Sequence, residues 1–223
     1  MSAFGYLAIE PWVRRYWPQT MITWSRFLAG RWQDPIVGRD FLFGVVWAIV
    51  HTLLQRISAL GGIWLGAAPP QPTSTIIDWG VALETLMGSR AMTAELPFFG
   101  IMGFVNAVQF CFVLFLFRAL LRKPWLAVVA CFSVFFVGRS HPVFDALSLS
   151  ISLTVLVSHG LLATMVFMSV MVLTDAALLT LDLTAWYGQG SLVAVIVVSA
   201  LAVGAFRVSL GERPLFVAGS MGQ

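Results

Sequence analysis

From Ala146 to Thr174 the chain carries no formally charged residue, with Asp145 and Asp175 standing at the two edges of the run. An ordinary surface element does not avoid charge for that long, and other apolar stretches repeat the pattern. The sequence therefore predicts an all-α, polytopic transmembrane helical bundle. Charged residues make up 10% of the chain and hydrophobic residues 59%, whereas a soluble domain carries about 25% charged residues. Lipid has to be the surrounding solvent. A net charge of +3 would suggest nucleic acid in a soluble protein. Here the basic residues sit at the ends of apolar runs, where they orient helices and meet anionic lipid, so membrane lipid is the expected contact and nucleic acid is not. Cys111 and Cys131 lie inside apolar runs and read as small buried hydrophobes rather than as a disulfide or metal pair.

The pattern divides the chain into an interfacial segment over residues 1–40, a transmembrane domain over 41–213 and a tail over 214–223. In the first part Trp12, Trp17, Trp24 and Trp32 alternate with Arg14, Arg15, Arg26 and Arg31. Rings and guanidinium groups at that density suit the headgroup zone, so an amphipathic segment broken at Pro11, Pro18 and Pro35 is expected there. The same residues would suit a partner-docking surface, because Trp and Arg dominate interface energetics.

Spans are expected at Phe41 to Leu60, Leu96 to Phe117, Trp125 to Gly138 and Ser191 to Phe206. The uncharged run after Asp145 would extend about 43 Å as one helix, more than a hydrocarbon core of about 30 Å. Two shorter spans meeting at Ser158-His159-Gly160 fit better, since glycine allows a tight turn. Six spans then place the N-terminal arginines, Arg118 to Lys123 and Arg207 to Arg213 on one side. The positive-inside bias makes that side cytoplasmic and the loop from Gly61 to Glu95 extracytoplasmic. No apolar h-region follows an N-terminal charge, so no signal peptide is expected.

Few residues offer chemistry. His51 and Gln55, spaced i, i+4, share one helix face inside a span, where an imidazole could ligate the metal of a chlorin or a haem, relay protons, or bond a neighbouring helix. His159 is a second imidazole of this kind, at the expected turn. Asn106 and Gln109 form an i, i+3 amide pair of the sort that bonds across helices, beside Gly100 and Gly103, which permit close approach. Asp175 and Asp182 sit at span ends and read as flanking or capping residues. No zinc-protease motif, nucleophile elbow, Walker loop or paired intramembrane carboxylate is present, so no catalytic residue is assigned.

Glu10-Pro11-Trp12-Val13-Arg14-Arg15-Tyr16-Trp17-Pro18, Ile22-Thr23-Trp24-Ser25-Arg26-Phe27-Leu28-Ala29-Gly30-Arg31 and Asp34-Pro35-Ile36-Val37-Gly38-Arg39-Asp40 resemble the membrane region that follows the catalytic domain in a group of bacterial serine/threonine protein kinases. Leu181-Asp182-Leu183-Thr184-Ala185-Trp186-Tyr187, with Phe206-Arg207-Val208-Ser209-Leu210-Gly211, resembles the end of that region. The kinase glycine-rich loop and His-Arg-Asp loop are absent, so the resemblance implies membrane location and architecture and transfers no catalytic residue. The leading expectation is a non-enzymatic membrane subunit or scaffold that packs against partner membrane proteins or a second copy of itself. The alternatives are a pigment- or haem-binding subunit of a photosynthetic or respiratory complex using His51 or His159, and a transporter.

Overall fold

A computed structural model describes residues 18–64, 66, 88–121, 123–137, 142–177, 179 and 188–211. The helices are α1 (Pro18–Leu28), α2 (Pro35–Trp64), α3 (Ser89–Leu121), α4 (Pro124–Phe136), α5 (Pro142–Ala176) and α6 (Gly188–Leu210), and no strand occurs among the described residues. Four of them, α2, α3, α5 and α6, are long and apolar enough to cross a membrane. With 13 residues, α4 is about 20 Å long and falls short of a hydrocarbon core of about 30 Å. Proline opens α1, α2, α4 and α5. Its missing N–H falls on a donor that the first turn leaves unpaired anyway, and its fixed φ is already helical.

Pro18 and Pro35 thus act as helix starts, and the expected border at residue 40 falls inside α2. Residues 35–40 belong to the first spanning helix rather than to the surface segment. On both sides α3 overruns the expected Leu96 to Phe117, taking in Arg90, Glu95 and Arg118. Long charged side chains at helix ends can reach the interface, so their presence does not stop the helix.

Gly160 breaks α5, with φ +85° and ψ −170°. Two contacts show that the chain doubles back there. Nε2 of His51 lies 2.7 Å from Oγ of Ser148, while the neighbouring Thr52 places its Oγ1 2.9 Å from Oγ1 of Thr174. On one straight helix Ser148 and Thr174 would stand about 39 Å apart. The first arm, 142–159, therefore runs antiparallel to α2, and the second, 161–176, runs parallel to it. Phe43 stacks on His159 at 4.2 Å beside the turn. The two arms thus run in opposite directions, with the reversal at the expected Ser158-His159-Gly160.

The hairpin of α5 forms the centre, packed by α2, α3 and α4, with α1 lying across it. Phe110, Leu114, Cys131, Leu156, Phe167 and Val170 make the core, and both cysteines are buried thiols. A side chain at Gly103 would overlap the backbone of Ser169, and one at Gly44 would come within 2.6 Å of the Ala163 carbonyl. These are the points at which α3 and α2 close on the second arm of α5. Gly38 sits against Val208 and Ser209. The start of α2 and the end of α6 accordingly meet at one end of the bundle, here called the basic end for its Arg39 and Arg207.

The backbone at Gly160 lies in a region that residues with a Cβ almost never occupy. Gly160→Val should lower stability by about 1–3 kcal/mol, read as the denaturation midpoint in detergent. Gly100→Ala, where an added Cβ meets nothing within 4 Å, should leave that midpoint unchanged or raise it.

Candidate functional site

The most polar part of the interior lies between α2 and the two arms of α5. Successive turns of α2 present His51, Thr52, Gln55 and Arg56, and α5 answers with Ser148, Thr174 and Asp175. His51 is 3% exposed, with Phe144 and Phe167 each 5.8 Å from its ring. Oγ1 of Thr52 lies 2.9 Å from Oγ1 of Thr174, and each hydroxyl also has a carbonyl of its own helix to donate to, Ala48 for Thr52 and Met171 for Thr174. Nη2 of Arg56 donates to the Thr174 carbonyl at 3.5 Å, which sets this turn of α2 beside the residue that precedes Asp175. Among the described residues, Nδ1 of His51, Oε1 of Gln55, Nε of Arg56 and Oδ1 of Asp175 are buried polar atoms that find no hydrogen-bond partner.

Sequence spacing placed His51 and Gln55 on one face, and the structure turns that face inward. It did not bring in Arg56, Thr52, Ser148 or Thr174. Asp175, read as a flanking residue, faces this cluster, because the fold at Gly160 returns the far end of α5 to α2. His51 is held at Nε2 by Ser148 and enclosed by two rings, which is the arrangement of an interhelical contact. His159 is elsewhere, half-buried beside Phe43 at the hairpin turn, and the two imidazoles do not share a site.

Amides of the second pair also separate. Asn106 is half-buried, whereas Gln109 is exposed on the outer face of α3 and hydrogen-bonds no other described residue. Its neighbours on that face are Ile101, Phe112 and Leu116, exposed by 58%, 43% and 50%. Gly103 meets Ser169 closely, while Gly100 faces open space.

Of the expected surface residues, Trp12, Arg14, Arg15 and Trp17 lie outside the described residues. The remainder splits. Trp24 is half-buried, stacked on Phe27 at 5.8 Å and 5.9 Å from Phe104 of α3. Arg26 pairs with Asp34 at 2.8 Å. Trp32 lies 65% exposed against Phe27, and Arg31 is exposed. Oγ1 of Thr23 donates to the buried Asp40 of α2 at 2.5 Å. One face of α1 is therefore committed to its own bundle.

The N–H of Ile36 holds the Asp34 carboxyl below its ordinary 3.8, followed by Arg26, although burial works the other way. A carboxyl lowered in the folded state contributes stability above its unfolded value and loses it as pH falls through the folded one. Amide protection of residues 18–28 should therefore fall on acidification below about pH 4, as measured by hydrogen exchange, and Asp34→Asn should remove that dependence. For the inner contact, a double-mutant cycle of His51→Leu and Ser148→Ala should return a coupling of about 0.6–2 kcal/mol.

No family model, curated protein or solved structure matches this chain.

Proposed function

We propose that this chain is a non-enzymatic helical membrane subunit that packs against a partner membrane protein through the outer face of α3. Gln109 carries the reading. It is a carboxamide part-way along a spanning helix, turned away from its own bundle and set among Ile101, Phe112 and Leu116. Hydrocarbon offers an amide neither donor nor acceptor, while a polar side chain on a second helix offers both. Such interhelical bonds contribute about 0.6–2 kcal/mol each, enough to fix the register of a contact whose bulk is apolar packing.

Arg39, Arg118, Lys123 and Arg207 favour a cytoplasmic basic end, with both termini on that side, under the positive-inside bias. Likeness to the membrane region of bacterial serine/threonine kinases is part of the same proposal, as a module that accompanies other functional units. On this reading the exposed Arg31 and Trp32 meet anionic headgroups, and the paired side of α1 holds the segment to the bundle.

A photoreactive side chain at Phe112, introduced in native membranes, should give a discrete protein adduct that Gln109→Leu abolishes. The same probe at Ile196, 57% exposed on α6, should yield lipid adducts alone. Lipid adducts alone at both positions would remove the basis for a partner on α3. For orientation, a cysteine at Ser220 should resist an impermeant thiol reagent in intact cells and react after lysis.

A further inference from the structure

The outward residues of α3 fall on a line. Gln109, Phe112, Leu116 and Ala119 are exposed and Val105 is half-buried, and from Val105 onward they follow one another at spacings of four, three, four and three. That 3.5-residue repeat is the seam along which two helices wind left-handedly around each other. An apolar repeat alone would suit acyl chains equally well. The amide within it does not, because lipid leaves both its donor and its acceptor unpaired. Charge is also absent from the seam. No Asp, Glu, Lys or Arg stands between Glu95 and Arg118; Glu95 lies well before the seam begins, and Arg118 falls off its line by the same repeat.

We propose that the partner on this face is a second copy of this chain, paired parallel through α3 about a two-fold axis along the membrane normal, with the two Gln109 carboxamides bonded to each other. The inference rests on the reading of α3 as a docking face and names what covers it. Copies inserted in one orientation share a two-fold axis only along the normal, so each seam residue meets its own equivalent at the same depth. A group placed there has to complement itself. A carboxamide does so, since each Nε2 donates to the other copy's Oε1, whereas an ammonium or a carboxylate would meet its like. The absence of charge along the seam serves the same end, because an identical partner brings identical charges. Phe112 and Leu116 supply the apolar packing, and the amide pair fixes the register, as a single polar residue does on the seam of a coiled coil.

Two differently tagged full-length copies, co-expressed and kept in native membranes, provide the first test. With Phe112→Cys in both, a mild oxidant should join the two tags in one disulfide-linked species, and Leu116→Cys should do the same. The native chain, whose Cys111 and Cys131 are buried, should give no such species, nor should Ile196→Cys on α6. In vesicles of purified protein carrying donor and acceptor dyes on the tags, energy transfer should fall as lipid is added at fixed protein. Gln109→Leu should raise the dissociation constant read from that dilution about threefold to thirtyfold, and Gln109→Asn should raise it less. A disulfide-linked species that joins one tag to a different protein would overturn the second copy and leave α3 as a docking face. Lipid adducts alone at Phe112 would remove both readings. Absence of energy transfer at every ratio of protein to lipid, or transfer that Gln109→Leu leaves unchanged, would overturn the pairing through this seam. The dilution of the unaltered chain decides the matter even where a substituted copy fails to insert.

Discussion

Lipid supplies no hydrogen bonds and little reason for one apolar helix to prefer another over an acyl chain, so close approach and a few polar contacts have to decide how these helices assemble. The hairpin of α5 is where that constraint is met. Its two arms occupy the centre, and every other spanning helix packs against one of them or against α2. Where α2 and α3 close on it, Gly44 and Gly103 let backbone approach backbone, and Thr52–Thr174 and His51–Ser148 fix the register. Each polar contact ties α2 to a different arm, so together they hold the hairpin closed.

That closure also gathers the polar residues of the interior. With the arms of α5 apart, Asp175 would end an isolated helix near the interface and Arg56 would reach for water or headgroups, as long basic side chains do. Folded back, the returning arm brings the Thr174 carbonyl within reach of Arg56. The geometry that stabilises the bundle thus leaves several polar atoms without partners among the described residues. A membrane interior tolerates this where water or a partner group completes the set. Inside, water can do so; at Gln109, on the outer face, only another helix or a headgroup can.

The basic end follows a different rule. There α1 is tied by Thr23 to Asp40 and by Arg26 to Asp34, with Trp24 seated against Phe104. A segment that composition assigns to headgroups or to a partner spends one face on its own chain and leaves Arg31 and Trp32 outward. Composition reports how many aromatic and basic side chains are available at an interface. It does not report which way each one turns.

By itself the sequence determined the apolar surroundings and the helical class, because the absence of charge over long runs is a property of composition and order. It also determined the reversal at Gly160, since a run too long for one span and a residue free to take positive φ together leave few other solutions. Helix ends were less legible, as with Pro35, because a proline that breaks one element also opens the next. Only the tertiary structure decided which polar residues meet. His51 and Ser148 are far apart in sequence, as are Thr52 and Thr174, and a 3.6-residue period places a residue on a face of its helix without saying what that face adjoins. Pairing across the bundle depends on the crossing of α2 with both arms of α5, which is set by packing over the whole core and has no local signal in the chain.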